Sequence, residues 1–207
     1  DKWVDGIWEA FFNEYEAVAK EGDGIFLNKF YNEGSCATVA VAWRESDREF
    51  RWMAYGDSVV FHYNRKSGLL EHSFTRLADF SRPPMLVSCK DPLVEEGFRC
   101  GAFHLDEGSV VFAASDALSH YVLLMYELAN CGKFGEELTE EAFRRSGNSA
   151  LLLAAEAIRF DFQTDVLDPL MKAAGKESTF RAHAKALTER GVLDVDDMTV
   201  VFLGKSA

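Results

Sequence analysis

The chain has 207 residues, 48% of them hydrophobic and 17 of them phenylalanine, enough apolar side chain for one substantial core and too much for a disordered segment. Asp and Glu number 34 against 22 Lys and Arg, a formal charge of −12. That balance disfavours binding nucleic acid through the phosphate backbone and suits a site that gathers divalent cations. The four cysteines (Cys36, Cys89, Cys100, Cys131) are scattered with no CxxC pair, so they read as reduced, buried thiols of a cytosolic protein. No apolar run approaches the length of a membrane span, and no signal peptide is visible.

In chain order, Trp3, Ile7, Phe11, Tyr15 and Val18 fall at helical spacing, which predicts an amphipathic helix over 3–19, followed by a turn in "EGDG". Three strand-like runs come next, at 36–43, 49–56 and 58–64, then a weaker one at 69–74. Their short polar connections predict antiparallel pairing. Residues 79–107, with Pro83-Pro84 and Asp91-Pro92, read as an irregular surface excursion. "SVVFAASD" (109–116) is a strand, and a helix follows to about Asn130. Further helices are expected within 135–147 and from Ser149, with Leu151, Ala155, Ile158, Phe162 and Val166 on one face until Asp168-Pro169 ends or kinks the run. "STFRAHAKALTERG" (178–191) predicts a helix with Ser178 as N-cap and Gly191 as stop, and 196–204 is the last strand. Clustered antiparallel strands with helices around them make the class α+β. No repeat, GxGxxG or P-loop is present.

The candidate chemistry is acidic. Asp116 ends an apolar strand-like run, where a carboxylate must be paired, hydrogen-bonded or metal-bound. It either caps the following helix or forms one wall of an acidic site. Asp196-Asp197 mirror it at the entrance to the final strand. If those two strands lie antiparallel and adjacent, Asp116 and Asp196 converge at one sheet edge. Asp57, in "AYGDSVVF", is a third acidic turn residue. Oxygen ligands without His or Cys favour Mg²⁺ or Mn²⁺ over zinc. Asp161, Asp165 and Asp168 share one helix face and read as its solvated side. The five histidines (62, 72, 104, 120 and 183) show no ligand spacing, and His120 reads as packing or a local hydrogen bond.

"GSCATVAVAW" (34–43), "MAYGDSVVFHYNRKSG" (53–68), "VVFAASDAL" (110–118) and "DDMTVVFL" (196–203) resemble, in order, four motifs of the metal-dependent protein phosphatases of type 2C, the PPM family. The resemblance implies an αββα sandwich of two antiparallel sheets flanked by helices. It also implies hydrolysis of phosphoserine or phosphothreonine at a centre of two Mn²⁺ or Mg²⁺ ions, where a metal-bound water attacks phosphorus. Asp116 and Asp196 match family metal ligands and are the expected catalytic pair. Asp57 matches a turn residue sometimes linked to a further metal, and Asp197 stands where the family has asparagine. Ala117 and Val59 replace the family's glycine and arginine. The D-G-x-G-G motif, which supplies the bridging aspartate, has no counterpart at Asp5-Gly6 or Asp23-Gly24. Residues 1–207 therefore read as a single type 2C-like domain lacking its N-terminal strands, or as a divergent branch with an incomplete metal centre. The expected protein is cytoplasmic and bacterial, acts on a phosphoprotein, and binds neither nucleic acid nor membrane. The alternative is a pseudophosphatase that binds a phosphoprotein or regulatory partner without turnover.

Overall fold

The structure, a computed structural model, describes residues 2–22, 24–34, 36–88, 91–143 and 160–203. Nine strands form three antiparallel sheets among these residues, with helices flanking them, so the α+β class holds. The larger sheet has the order β5-β4-β8-β9, from Leu69–His72, Val59–Asn64, Ser109–Ala114 and Val200–Leu203. A three-stranded sheet has the order β2-β3-β7, from Val39–Ser46, Glu49–Tyr55 and Phe98–His104. A short ladder joins β1 (Cys36–Ala37) to β6 (Val87–Ser88).

The two main sheets pack face to face. Phe50 and Phe103 from the smaller sheet meet Val60 and Val111 from the larger one, with Leu105 closing the layer. The opposite face of the larger sheet presents Val59, Phe61, Tyr63, Phe112 and Ala114 to a helical layer. β4 is thus buried on both faces, which is why "VVFHYN" carries apolar residues at consecutive positions rather than only at alternate ones, with His62 as its buried polar member. Across β4, β8 and β9, Phe112 stacks on Phe61 at 4.8 Å and on Phe202 at 5.1 Å between ring centroids. Such cross-strand aromatic pairs lock the register.

The helical layer centres on α3 (Asp116–Ala129), of which eleven residues are buried, matching a helix that is apolar on nearly all sides. Short helices α4 (Cys131–Phe134) and α5 (Glu140–Phe143) follow, then a π-helical turn (Gln163–Leu167), α6 (Asp168–Ala174) and α7 (Glu177–Glu189). Near the start of the chain, α1 (Lys2–Glu21) and α2 (Gly24–Glu33) pack on each other, with Phe12 against Phe30 at 5.2 Å. No helix among the described residues is long and apolar enough to cross a membrane.

Several sequence expectations need correction. Residues 79–107 are not irregular throughout: they contain β7, whose inward side carries Arg99, Gly101 and Phe103 between the more exposed Phe98, Cys100, Ala102 and His104. α2 was hidden behind the "EGDG" turn. Asp168-Pro169 starts α6, with the proline in the first turn where its missing N–H costs nothing. Lys176, not Ser178, is the N-cap residue of α7, while Gly191 does stand in the left-handed region at φ 71° just beyond the helix. Cys36 and Cys100 are exposed free thiols rather than buried ones. The helix expected from Ser149 falls mostly outside the described residues, as does Cys89.

Candidate functional site

One end of the larger sheet collects the acidic residues. β8 and β9 pair antiparallel with Ala114 opposite Val200, and β8 pairs β4 with Ala114 opposite Val59. Asp57 therefore precedes β4, Asp116 follows β8, and Asp196-Asp197 precede β9, all at the same sheet edge. The antiparallel adjacency that the sequence argument required for Asp116 and Asp196 is present.

Local chemistry explains each position. The chain leaves β3 and crosses to the second sheet through Gly56-Asp57-Ser58. Gly56 has φ 96°, and a Cβ there would lie 2.5 Å from Thr38 Cγ2, so only glycine makes the crossing. This carries Asp57 between the layers, 8% exposed. At the exit of β8, Ser115 is the N-cap residue and Asp116 the first helical residue of α3. The Asp116 carboxylate accepts the Ala117 N–H at 2.7 Å, and the helix dipole favours its charge. Asp116 is half-buried, whereas Asp196 and Asp197 are exposed, with the Asp197 N–H donated to Asp196 Oδ1 at 2.8 Å.

Ser115 was not singled out in the sequence, yet it ties the edge together. Its N–H donates to Thr199 O at 3.0 Å, its Oγ accepts the Thr199 N–H at 3.0 Å, and the same hydroxyl donates to Asp197 O at 3.2 Å. Asp116 and the Asp196-Asp197 turn are thereby held as neighbours by the backbone and hydroxyl of Ser115.

Beside Asp57 opens a cleft of about 350 Å³, lined by Thr75, Asp79, Arg82 and Arg99 among others. Arg99 comes from the inward face of β7, a residue missed because that strand was missed; a charge at an apolar-facing alternate position was its only signal. Its Nη2 donates to Gly56 O, and its guanidinium lies 4.8 Å over the Phe74 ring. Its Nε is buried without a partner among the described residues. Burial pushes the Arg99 pKa below its ordinary value, and the carboxylates of Asp57 and Asp79 pull it back. Asp79 itself accepts from Thr75 at 2.7 Å and pairs with Arg76 at 3.2 Å and Arg82 at 3.5 Å. Beneath them, burial pushes the His72 pKa down, and Arg99 adds to that, so this imidazole is held neutral.

The remaining singled-out residues have structural partners. Asp161 and Asp165 form a local cap: Asp161 accepts the Thr164 N–H, and Asp165 accepts the Asp161 N–H, each at 2.8 Å. Asp168 pairs with Arg65 at 2.5 Å, so this aspartate is not merely solvated. His62 is buried between Glu71 and Ser109, each at 2.8 Å. The His120 ring meets the Ala142 carbonyl at 2.9 Å, a hydrogen bond to a residue 22 positions along the chain rather than the local one expected.

No family model, curated protein or solved structure matches the chain. Its chemistry has to be read from the site itself. The donors at the sheet edge are hard carboxylate oxygens, the type and charge that suit Mg²⁺ or Mn²⁺. Among the described residues, however, no three His, Cys, Asp or Glu side chains gather closely enough to hold a metal ion.

Proposed function

We propose that this domain hydrolyses phosphate monoesters on phosphoserine or phosphothreonine proteins, in the manner of the type 2C phosphatases it resembles. The observation that carries the reading is the strand register, which aligns Asp57, Asp116 and Asp196-Asp197 at one edge. Three of the four motifs, separated in sequence, bring their aspartates to that end of the sheet, which supports a shared site.

In this reading Asp116 and Asp196 hold a divalent cation, with Asp57 and Asp197 as further carboxylates of the same edge. The cation, when bound, supplies charge neutralisation at the phosphoryl oxygens and acidifies water. The chain's own contribution is positioning. The N-terminus of α3 fixes the Asp116 carboxylate, Ser115 fixes the approach of Asp196, and Arg99 offers guanidinium donors to phosphate oxygens from the cleft beside Asp57.

The second reading is a pseudophosphatase that binds a phosphoprotein without turnover. It is favoured by the lack of a three-ligand group among the described residues. Hydrolysis of p-nitrophenyl phosphate and of a phosphothreonine peptide, with and without Mn²⁺, separates the two. The expected result is Mn²⁺-dependent turnover that falls at least a hundredfold in Asp116→Asn. Folded wild-type protein that binds the phosphopeptide but releases no phosphate establishes the second reading instead.

A further inference from the structure

The acidic edge occupies one end of the larger sheet, and a different set of reactive groups stands towards the other end. Glu71, His62 and Ser109 lie on the adjacent strands β5, β4 and β8, with Glu71 directly opposite His62 in the ladder. His62 Nδ1 is 2.8 Å from Glu71 Oε2, and His62 Nε2 is 2.8 Å from Ser109 Oγ. A carboxylate only accepts, so Nδ1 carries its proton towards Glu71 and Nε2 is left to accept from the Ser109 hydroxyl. The competing acceptor, Asp106 Oδ1, is farther from that hydroxyl at 3.3 Å, and Asp106 Oδ2 already takes the Asn64 amide at 2.7 Å. The Asp106 N–H occupies one lone pair of Ser109 Oγ at 2.9 Å and leaves the other for an electrophile. His62 is buried, but Ser109 is only half-buried and lines a cavity of about 600 Å³. The apolar wall of that cavity is Phe50 from the smaller sheet with Leu105, Val111 and Leu203. Arg48 lines it too, and its guanidinium has no ion-pair partner among the described residues.

The geometry points to a second activity, hydrolysis of a small carboxylic ester with an apolar acyl group, in which Ser109 is the nucleophile, His62 its general base and Glu71 the residue that positions the imidazole. Ser109 Oγ bonds to the carbonyl carbon while its proton passes to His62 Nε2. The negative charge forms on the carbonyl oxygen, to which Arg48 offers donors from the same cavity. The bond to the alcohol oxygen then breaks, that oxygen takes the proton from Nε2, and the acyl group stays on Ser109. Water repeats the sequence: its proton goes to Nε2, its oxygen bonds to the acyl carbon, and Ser109 Oγ leaves with that proton. Ester and water become acid and alcohol, and nothing else is consumed. Because His62 is 2% exposed, water reaches Nε2 only past Ser109, so the second half is the slower one. The acidic edge contributes no residue to this site, so the two activities stand or fall separately.

The test uses p-nitrophenyl butyrate and a fluorophosphonate probe, with EDTA present so that no reaction at a divalent cation enters the assay. The wild type is expected to release a burst of about one p-nitrophenolate per chain and then turn over more slowly. The probe is expected on the peptide that carries Ser109, read by mass spectrometry. Ser109→Ala loses both the burst and the label. Glu71→Gln, which does not line the cavity, slows the burst at saturating ester about tenfold or more, while the ester concentration that gives half that rate stays the same. Wild-type protein labelled elsewhere or not at all overturns the assignment, and this result stands even if Ser109→Ala does not fold. A folded Ser109→Ala variant that keeps the burst overturns it too, and an unchanged burst rate in Glu71→Gln overturns the role given to Glu71.

Discussion

At the scale of single residues, the least comfortable group is Glu127. It sits in the last turn of α3, 4% exposed, where the helix dipole opposes a negative charge, and its Oε2 is buried without a partner among the described residues. Burial, helped by the nearby charge of Glu137, pushes its pKa from 4.5 up to about 8. The folded protein therefore keeps a proton that the unfolded chain has released. Stability from this group is complete below pH 4.5 and is lost as pH rises towards 8, a change of a few kcal/mol at most. The melting temperature is expected to fall between pH 5 and pH 8.5 in the wild type and to stay nearly level in Glu127→Gln over that window. A parallel fall in both proteins rules Glu127 out as the cause. His72 works in the opposite sense: its depressed pKa costs stability as pH drops below 6.5, because only the unfolded imidazole then gains its proton freely. None of this was visible beforehand. Nothing in "YELAN" distinguishes a buried glutamate from a surface one until the packing of the helix is known.

At the scale of elements, the junction of β8, α3 and β9 depends on Ser115 more than on any aspartate. Its hydroxyl both accepts from Thr199 and donates to Asp197. Ser115→Ala leaves the Thr199 N–H short of its partner, and its stability should drop by about 1–2 kcal/mol in urea unfolding. The variant should also lower turnover more than the global loss accounts for, because the Asp196 turn loses its tether. Unchanged stability would mean that water replaces the hydroxyl without cost. The strands were legible where they carry continuous β-branched and aromatic runs, as at β4 and β8, since burial on two faces writes itself into composition. β7 was not. Its alternation of Phe98, Cys100 and Ala102 with Arg99, Gly101 and Phe103 is interrupted by a glycine whose absent Cβ makes room for Trp52, 2.6 Å away from where that atom would lie. That packing requirement erases the usual strand signal. With β7 went Arg99, and with Arg99 the cleft beside Asp57. The acidic edge, by contrast, was readable from Asp116 and Asp196, because apolar runs that end and begin in aspartate constrain strand direction as well as strand identity.

At the scale of the whole molecule, the charge of −12 is spread over a surface whose ion pairs are mostly exposed, such as Lys20–Glu16 and Arg181–Glu177. Pairs of that kind contribute little, whereas the uncompensated surplus repels itself in the folded state. Raising sodium chloride from about 10 mM to 150 mM shortens the screening length from about 30 to 8 Å. The melting temperature is expected to rise over that range, and a fall would show that specific ion pairs outweigh the net repulsion. The ladder that completes the acidic edge also has a temporal meaning. Ser115 and Thr199 are 84 residues apart in sequence, yet β9 must lie against β8 before Asp196 stands near Asp116. During synthesis, β9 leaves the ribosome long after β8 and α3. A nascent chain that ends before Asp196 carries Asp57 and Asp116 but not the other two carboxylates of the acidic edge. The fold thereby makes the complete edge conditional on synthesis through β9, and because Val166, Leu170, Leu187, Val192 and Leu193 of the intervening segment belong to the main core, a cut that frees that segment is expected to cost the core as well as the edge.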